Sequence, residues 1–306
     1  FGGVRVSGLV SAPRSTGAAH SHRSQPTRRT QMSDFITHTF CECGENHKGM
    51  QQLGSIAAQG VPMADLRALA QQRPDLFQIV DLSHGGVEAG VLLMRGGVEK
   101  LLGKGKADAL LAESRAQRFD DRFLNTDRNP PVVMNKLGRV NNVYADFAQE
   151  PDIPAGRGTV VDFATTPLMA ALRAALPAAL GEWARGLIAE TNWYQKVSDA
   201  RVGIGFHGDT ERRIVVGVRL GEASTPLRFQ CYVKSLPVSE ETSIELAHGD
   251  LYVMSDRAVG WNWKSDLCNP TFRHGTGRKA VKRAIGEVSV AQKRRRAASA
   301  AKRARE

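Results

Sequence analysis

The residues best equipped for chemistry lie in Gly205-Phe206-His207-Gly208-Asp209-Thr210-Glu211-Arg212, where an imidazole and a carboxylate flank a single glycine. Apolar and polar residues alternate around them from Gly203 to Leu220, the period of a strand. Residues two apart on a strand project to one face, so His207 and Asp209 would stand side by side. Gly208 between them leaves the backbone open to close approach. These are two of the three protein ligands of a facial 2-His-1-carboxylate iron site, which leaves three metal positions open. Two ligands alone do not define a metal site. The second histidine must come from elsewhere: His248, His274 or a residue before this region. His248 in Leu246-Ala247-His248-Gly249-Asp250 reads as a turn residue opening a strand, and His274 lies on a late strand.

The elements that must position these groups change character along the chain. Met63–Ala70 has helical spacing, as does Val98–Leu111, which Gly103 and Gly105 should divide. Thr165-Thr166-Pro167 starts a further helix, with a threonine cap, proline in the first turn, and an apolar face through Leu168, Leu172, Leu176 and Leu180. Pro177 should kink or split that helix before Trp183. Strands then follow: Val202–Phe206, Ile214–Leu220, Leu227–Val233, Ser243–Leu246, Leu251–Met254 and Thr271–His274. Helices first and short strands later indicate an α+β protein with an antiparallel sandwich or barrel.

A chain of 306 residues with 42% hydrophobic content suits one large domain with appendages, and no apolar run approaches the length of a membrane span. The four cysteines, Cys41, Cys43, Cys231 and Cys268, are too scattered for a disulfide scaffold and favour a reducing compartment. Cys41, Cys43 and His47 lack the second Cys/His pair that structural zinc requires. The net charge of +11 is concentrated in two tails. Residues 1–33 read as a disordered basic leader, rich in arginine and serine and free of acids, similar to an organelle transit peptide, with Met32 a candidate internal start. Residues 281–306, with Lys293-Arg294-Arg295-Arg296, read as a basic tail that fits nuclear import or phosphate binding. The expected location is therefore the nucleus or an organelle, with the cytoplasm as alternative.

The order Asn192-Trp193-Tyr194, Asp199, then Gly205 through Arg212 resembles the N-x-Y … D … G-x-H-x-D-x-E-R run of AlkB-like iron(II)/2-oxoglutarate dioxygenases. Val216-Gly217-Val218-Arg219-Leu220-Gly221, Gly249-Asp250-Leu251-Tyr252-Val253-Met254 and Thr271-Phe272-Arg273 are similar to the strands that follow in that family. Thr39-Phe40 through Gln51, Ala145–Asp152 and Met254–Gly260 further resemble a group of AlkB-like proteins in large viruses and unicellular algae, which would make residues 34–278 one unit. The resemblance implies a double-stranded β-helix (jelly-roll, cupin-like) core over residues 161–280 with flanking N-terminal helices. Residues 34–160 are expected as an N-terminal α/β extension packed on it. The family's distal histidine stands near a W-x-H; here Trp261-Asn262-Trp263-Lys264 has none, and His274 takes that role.

The implied metal ligands are thus His207, Asp209 and His274, holding Fe(II), with 2-oxoglutarate and O2 as co-substrates. Asn192 and Tyr194 match the family's co-substrate contacts, and Arg273 its carboxylate-binding arginine. Strand parity instead turns Arg273 away from His274 and puts Thr276 and Arg278 beside it. Arg219 shares the parity of His207 and would be buried, which demands an anion: the co-substrate carboxylate, or Glu211 or Asp250. Glu211 and Asp250 are also candidates to orient the histidines. AlkB-like proteins oxidise N-alkyl groups on nucleic-acid bases, and some act on proteins or lipids. Trp193, Tyr194, Phe206, Trp261 and Trp263 are candidates for base stacking or for core, and Arg212, Arg213, Arg257 and Lys264 for phosphate contact or solvated surface. The expected partner is nucleic acid, with no membrane and the protein a monomer. The alternatives are a peptidyl or small-molecule hydroxylase and a non-catalytic nucleic-acid-binding relative.

Overall fold

The computed structural model describes residues 34–44, 49–199, 201–222 and 225–277, all within one compact unit, Met32–Glu306. The leader, His47, Arg278 and the basic tail lie outside the described residues. In chain order the strands are β1 (Phe35–Cys41), β2 (Cys43–Gly44), β3 (Leu53–Gly54), β4 (Gln78–Asp81), β5 (Gly90–Met94), β6 (Arg122–Asn125), β7 (Val132–Asn135), β8 (Val140–Ala145) and β9 (Val160–Asp162). They continue with β10 (Ile188–Tyr194), β11 (Gly203–His207), β12 (Val215–Leu220), β13 (Leu227–Val233), β14 (Leu236–Pro237), β15 (Thr242–Ile244), β16 (Leu251–Met254) and β17 (Thr271–Gly277). The helices are α1 (Met63–Gln72), α2 (Gly97–Leu102), α3 (Lys106–Arg115), α4 (Pro167–Leu180) and α5 (Asp256–Val259).

Side-chain alternation sorts these strands into layers. An eight-stranded sheet runs β4-β5-β16-β12-β1-β10-β8-β9, antiparallel except for the β8–β9 pair. Ile36 and Phe40 of β1, Val216 and Val218 of β12 and Val253 of β16 form one face, packed against Leu66, Leu110, Met169, Leu172 and Leu176 of the helices. The opposite face looks toward a five-stranded antiparallel sheet of β11, β17, β13, β14 and β15. There Val215, Tyr252 and Met254 meet Leu227, Phe229 and Phe272 in a second apolar cluster. The result is a mixed α+β protein, mostly strands in curled antiparallel sheets of sandwich type.

Three expectations change. The boundary at residue 160 separates nothing, because β1 lies between β10 and β12 and pairs with both across its length. Chain from the first forty residues thus supplies a central strand rather than an appended layer. Pro177 does not split α4, which runs on to Leu180 and stops at Gly181, whose φ of +115° suits only glycine. Leu176, Ala179 and Leu180 are buried around the proline, and that packing holds the turn despite the missing amide donor. Nor does Thr166 cap the helix: the Glu113 carboxylate of α3 accepts from the amides of Leu168 and Met169 at 3.0 and 2.9 Å.

Candidate metal centre and its cavity

β11 ends at His207, so Gly208 and Asp209 lie past the strand rather than within it. The two side chains still converge, because the Asp209 amide donates to the Val259 carbonyl at 3.1 Å and turns the chain inward. Gly208 permits this: a Cβ there would stand 2.1 Å from the Gly260 carbonyl oxygen. β17 pairs with β11 and sets His274 directly opposite His207. The three ligand atoms lie within 4.8 Å of one another. Asp209 Oδ1 is 3.3 Å from His207 Nε2 and 3.5 Å from His274 Nε2, and the two rings are 4.5 Å apart. Ligands in adjacent positions about one ion, with bonds of about 2.1 Å, stand roughly 3 Å apart, so this cluster needs only slight tightening to bind one.

The protonation pattern suits the same use. His207 Nδ1 stands 2.9 Å from the Gly205 carbonyl oxygen, which can only accept, so Nδ1 carries a proton and Nε2 is the nitrogen turned to Asp209. His274 Nδ1 is buried with no hydrogen-bond partner among the described residues. Burial opposes ionisation of Asp209, but His274, the Arg212 guanidinium and hydrogen bonds from both histidines outweigh it, and its carboxyl is held well below the usual range. Arg212, itself buried, lies 3.6 Å from Asp209 Oδ2 and 2.5 Å from Glu190. The residues present therefore fit a divalent metal with nitrogen and oxygen ligands.

The centre opens on a cavity of about 270 Å³ between the two sheets. Across the large sheet Arg219 aligns with Thr37, Thr37 with Asn192, and Asn192 with Asn141, and all four line the cavity. Tyr194, Tyr252 and Thr276 line it as well. Tyr252 occupies the space above Gly217, where a Cβ would come within 2.0 Å of the ring. Arg219 is 2% exposed, stacks over Phe35 at 4.0 Å and donates to Thr225, while its Nε has no partner among the described residues. Burial lowers its pKa from the ordinary arginine value. It forms no ion pair with Glu211 or Asp250: Glu211 pairs with Arg212, and Asp250 accepts from Arg95 and the Gly96 and Ala247 amides. Those bonds also remove both acids as orienting partners of the histidines.

The other sequence candidates divide clearly. Arg273 turns away from the cavity, over the rings of Tyr232 and Trp263 at 4.1 and 4.8 Å, as parity with an inward His274 requires. His248 is a turn residue, accepting from the Gly221 amide at 2.9 Å. Of the stacking candidates, only Tyr194 lines the cavity, and it lies against Phe35 with ring centroids 4.4 Å apart. Trp193 donates to Asp34, and Trp261 carries the Arg213 guanidinium at 3.8 Å. Arg212 is committed to acids within the core rather than to a surface. Glu190 and Arg139 are among the cavity residues that escaped the sequence reading. Glu190 could have been found, since it shares the parity of Asn192 and Tyr194 on one strand; Arg139 follows the β6–β7 hairpin and carries no local signal.

Fold and site together define a strand-rich α+β protein with an inward-facing His/Asp/His cluster on a cavity between two sheets. The chain is 36% identical over 259 residues to uncharacterized protein R156 of Acanthamoeba polyphaga mimivirus, covering 81% of this chain and 97% of that protein. It belongs to the same family. No family model matches the sequence.

Proposed function

We propose that the protein is an AlkB-like iron(II)- and 2-oxoglutarate-dependent dioxygenase on a double-stranded β-helix of cupin-like type. In this reading it hydroxylates or oxidatively demethylates N-alkylated bases in nucleic acid. The observation that carries the reading is the pairing of the His207/Asp209/His274 cluster with a buried guanidinium, Arg219, on one cavity. His207, Asp209 and His274 would hold the iron. With O2, the iron would couple oxidative decarboxylation of 2-oxoglutarate to succinate and CO2 with insertion of the second oxygen atom into a substrate C–H bond. Arg219 supplies the counter-charge for the far carboxylate of the co-substrate, and a buried guanidinium that gains such a partner recovers the solvation it lost. Tyr194 and Asn192 stand on β10, beyond β1 in the same sheet, as hydrogen-bonding groups on the cavity. Asp209, His274 and Arg219 are buried, which strengthens each of these electrostatic contacts. Arg273 has no part in co-substrate binding.

The test is conversion of 2-oxoglutarate to succinate by the full chain with added Fe(II), first alone and then with N-methylated single-stranded oligonucleotides while formaldehyde is followed. Succinate formation that disappears with chelator, and formaldehyde that needs the methylated base, are expected. No succinate above the chelated control would overturn the reading. Succinate without any nucleic-acid dependence would redirect it to a peptide or small-molecule hydroxylase.

A further inference from the structure

One guanidinium at the cavity is neither buried nor committed to an acid. Arg139 is half-buried and lines the same cavity as the metal centre. Its Nε donates to Asn192 Oδ1 at 2.5 Å, which fixes the plane of the group. Among the described residues no carboxylate forms an ion pair with it. The other cavity arginines are occupied differently, Arg212 by Glu190 and Glu211 and Arg219 by burial against Phe35. Burial raises the Tyr194 pKa and opposes ionisation of Glu190; the Arg139 charge pulls both the other way, joined at Tyr194 by Arg219. The two guanidinium groups therefore act on the same phenol, one from deep in the sandwich and one from the accessible side.

The segment that carries Arg139 is held on both sides. The Lys136 amide donates to the Asp121 carbonyl at 2.7 Å, and the Gly203 amide to the Gly138 carbonyl at 3.1 Å. A Cβ on Gly138 would lie 2.7 Å from the Gly203 carbonyl oxygen, so only glycine lets this segment seat against β11. Beside Arg139, Leu137 is 64% exposed and also lines the cavity, with Met50 and Phe123. An apolar rim next to a fixed, planar cation whose Nη edge is free matches a flat apolar group attached to an oxyanion.

We infer that Arg139 is the substrate-selecting residue, receiving a backbone phosphate of a single-stranded nucleic acid whose base rests against Leu137 at the cavity mouth. The inference rests on the nucleic-acid reading above. It concerns the primary substrate and not the co-substrate, whose carboxylate belongs to Arg219.

The experiment measures binding of a short fluorescein-labelled oligothymidylate to the full chain across a salt series, together with KM for 2-oxoglutarate in turnover without primary substrate. Arg139→Gln should weaken oligonucleotide binding about tenfold and reduce the log–log salt slope by about 0.7, the value for one phosphate of a single strand. KM for 2-oxoglutarate should rise far less than oligonucleotide affinity falls, the rise coming from the lost Arg139–Asn192 hydrogen bond. Arg139→Lys should restore the slope but only part of the affinity, because an ammonium lacks the two-pronged edge. An unchanged slope in Arg139→Gln overturns the inference, as does a raised KM for 2-oxoglutarate with unchanged oligonucleotide binding, which would assign Arg139 to the co-substrate. A purely structural role would lower Tm without altering the slope. Oligonucleotide binding needs no iron, so Arg139-dependent binding without turnover would break the dioxygenase reading and leave this one standing.

Discussion

Among the described residues, histidine is buried on both sides of the large sheet, with opposite consequences. On the helix side, His38 of β1 is wholly enclosed between Thr191 of β10 and Ser114 of α3. Ser114 donates its hydroxyl proton to the Leu110 carbonyl, so it accepts from His38 Nε2, and Thr191 donates to Nδ1 at 2.7 Å. Every polar atom of the imidazole is answered, and burial pushes its pKa down to about 3. On the sandwich side, His207 and His274 turn nitrogens toward one carboxylate and an open cavity, and among the described residues His274 Nδ1 has no partner. A sealed, satisfied imidazole is architecture. Imidazoles whose nitrogens converge on one carboxylate beside a cavity are placed to ligate.

Substitutions at the two clusters should part company. His207→Ala and His274→Ala should each bring Fe(II)-dependent 2-oxoglutarate turnover to background while circular dichroism and Tm stay near wild type; wild-type turnover in either variant would take that residue out of the centre. Arg219→Met should come next, raising KM for 2-oxoglutarate roughly thirtyfold, the equivalent of about 2 kcal/mol for a lost charge-assisted bond. An unaltered KM there would assign the co-substrate carboxylate elsewhere. His38→Ala should do the reverse of both, costing about 3 kcal/mol in denaturant unfolding through a cavity and two stranded hydroxyls, with turnover per folded molecule unchanged.

His38 also sets a pH dependence. The folded pKa of His38, about 3, lies below its ordinary 6.5, so the unfolded chain takes up the proton first as pH falls. The stability contributed by neutral His38 is complete above pH 6.5 and is lost toward about pH 3, at roughly 1.4 kcal/mol per unit. His38→Gln should flatten that part of the acid limb. A limb of unchanged slope would mean that His38 is protonated in place.

Much of the site was legible in advance because it depends on local period. Parity predicted that Arg273 and His274 face opposite ways, and so they do. It also placed Arg219 inside, where it stands buried and without an acid. Parity failed for Asp209, which reaches His207 through a turn past the end of β11 rather than along a strand. Nothing local could show that Glu113 caps α4 or that Asp250 holds Arg95 and the Gly96 amide, since those partners are distant in sequence. The aromatic residues near the motif were equally ambiguous, and packing sent the tryptophans away from the cavity.

What the chain's order of residues determined alone was the alternation of its strands, the Gly208 hinge between His207 and Asp209, and the need of a buried arginine for an anion. These follow from side-chain direction and solvation, which act over a few residues. The tertiary structure alone decided that β1 runs through the middle of the large sheet, that β17 brings His274 opposite His207, and that Arg139 reaches the cavity from a separate hairpin. Those placements are set by strand pairing and by burial of the two apolar clusters, which couple residues far apart in the chain and leave no local trace.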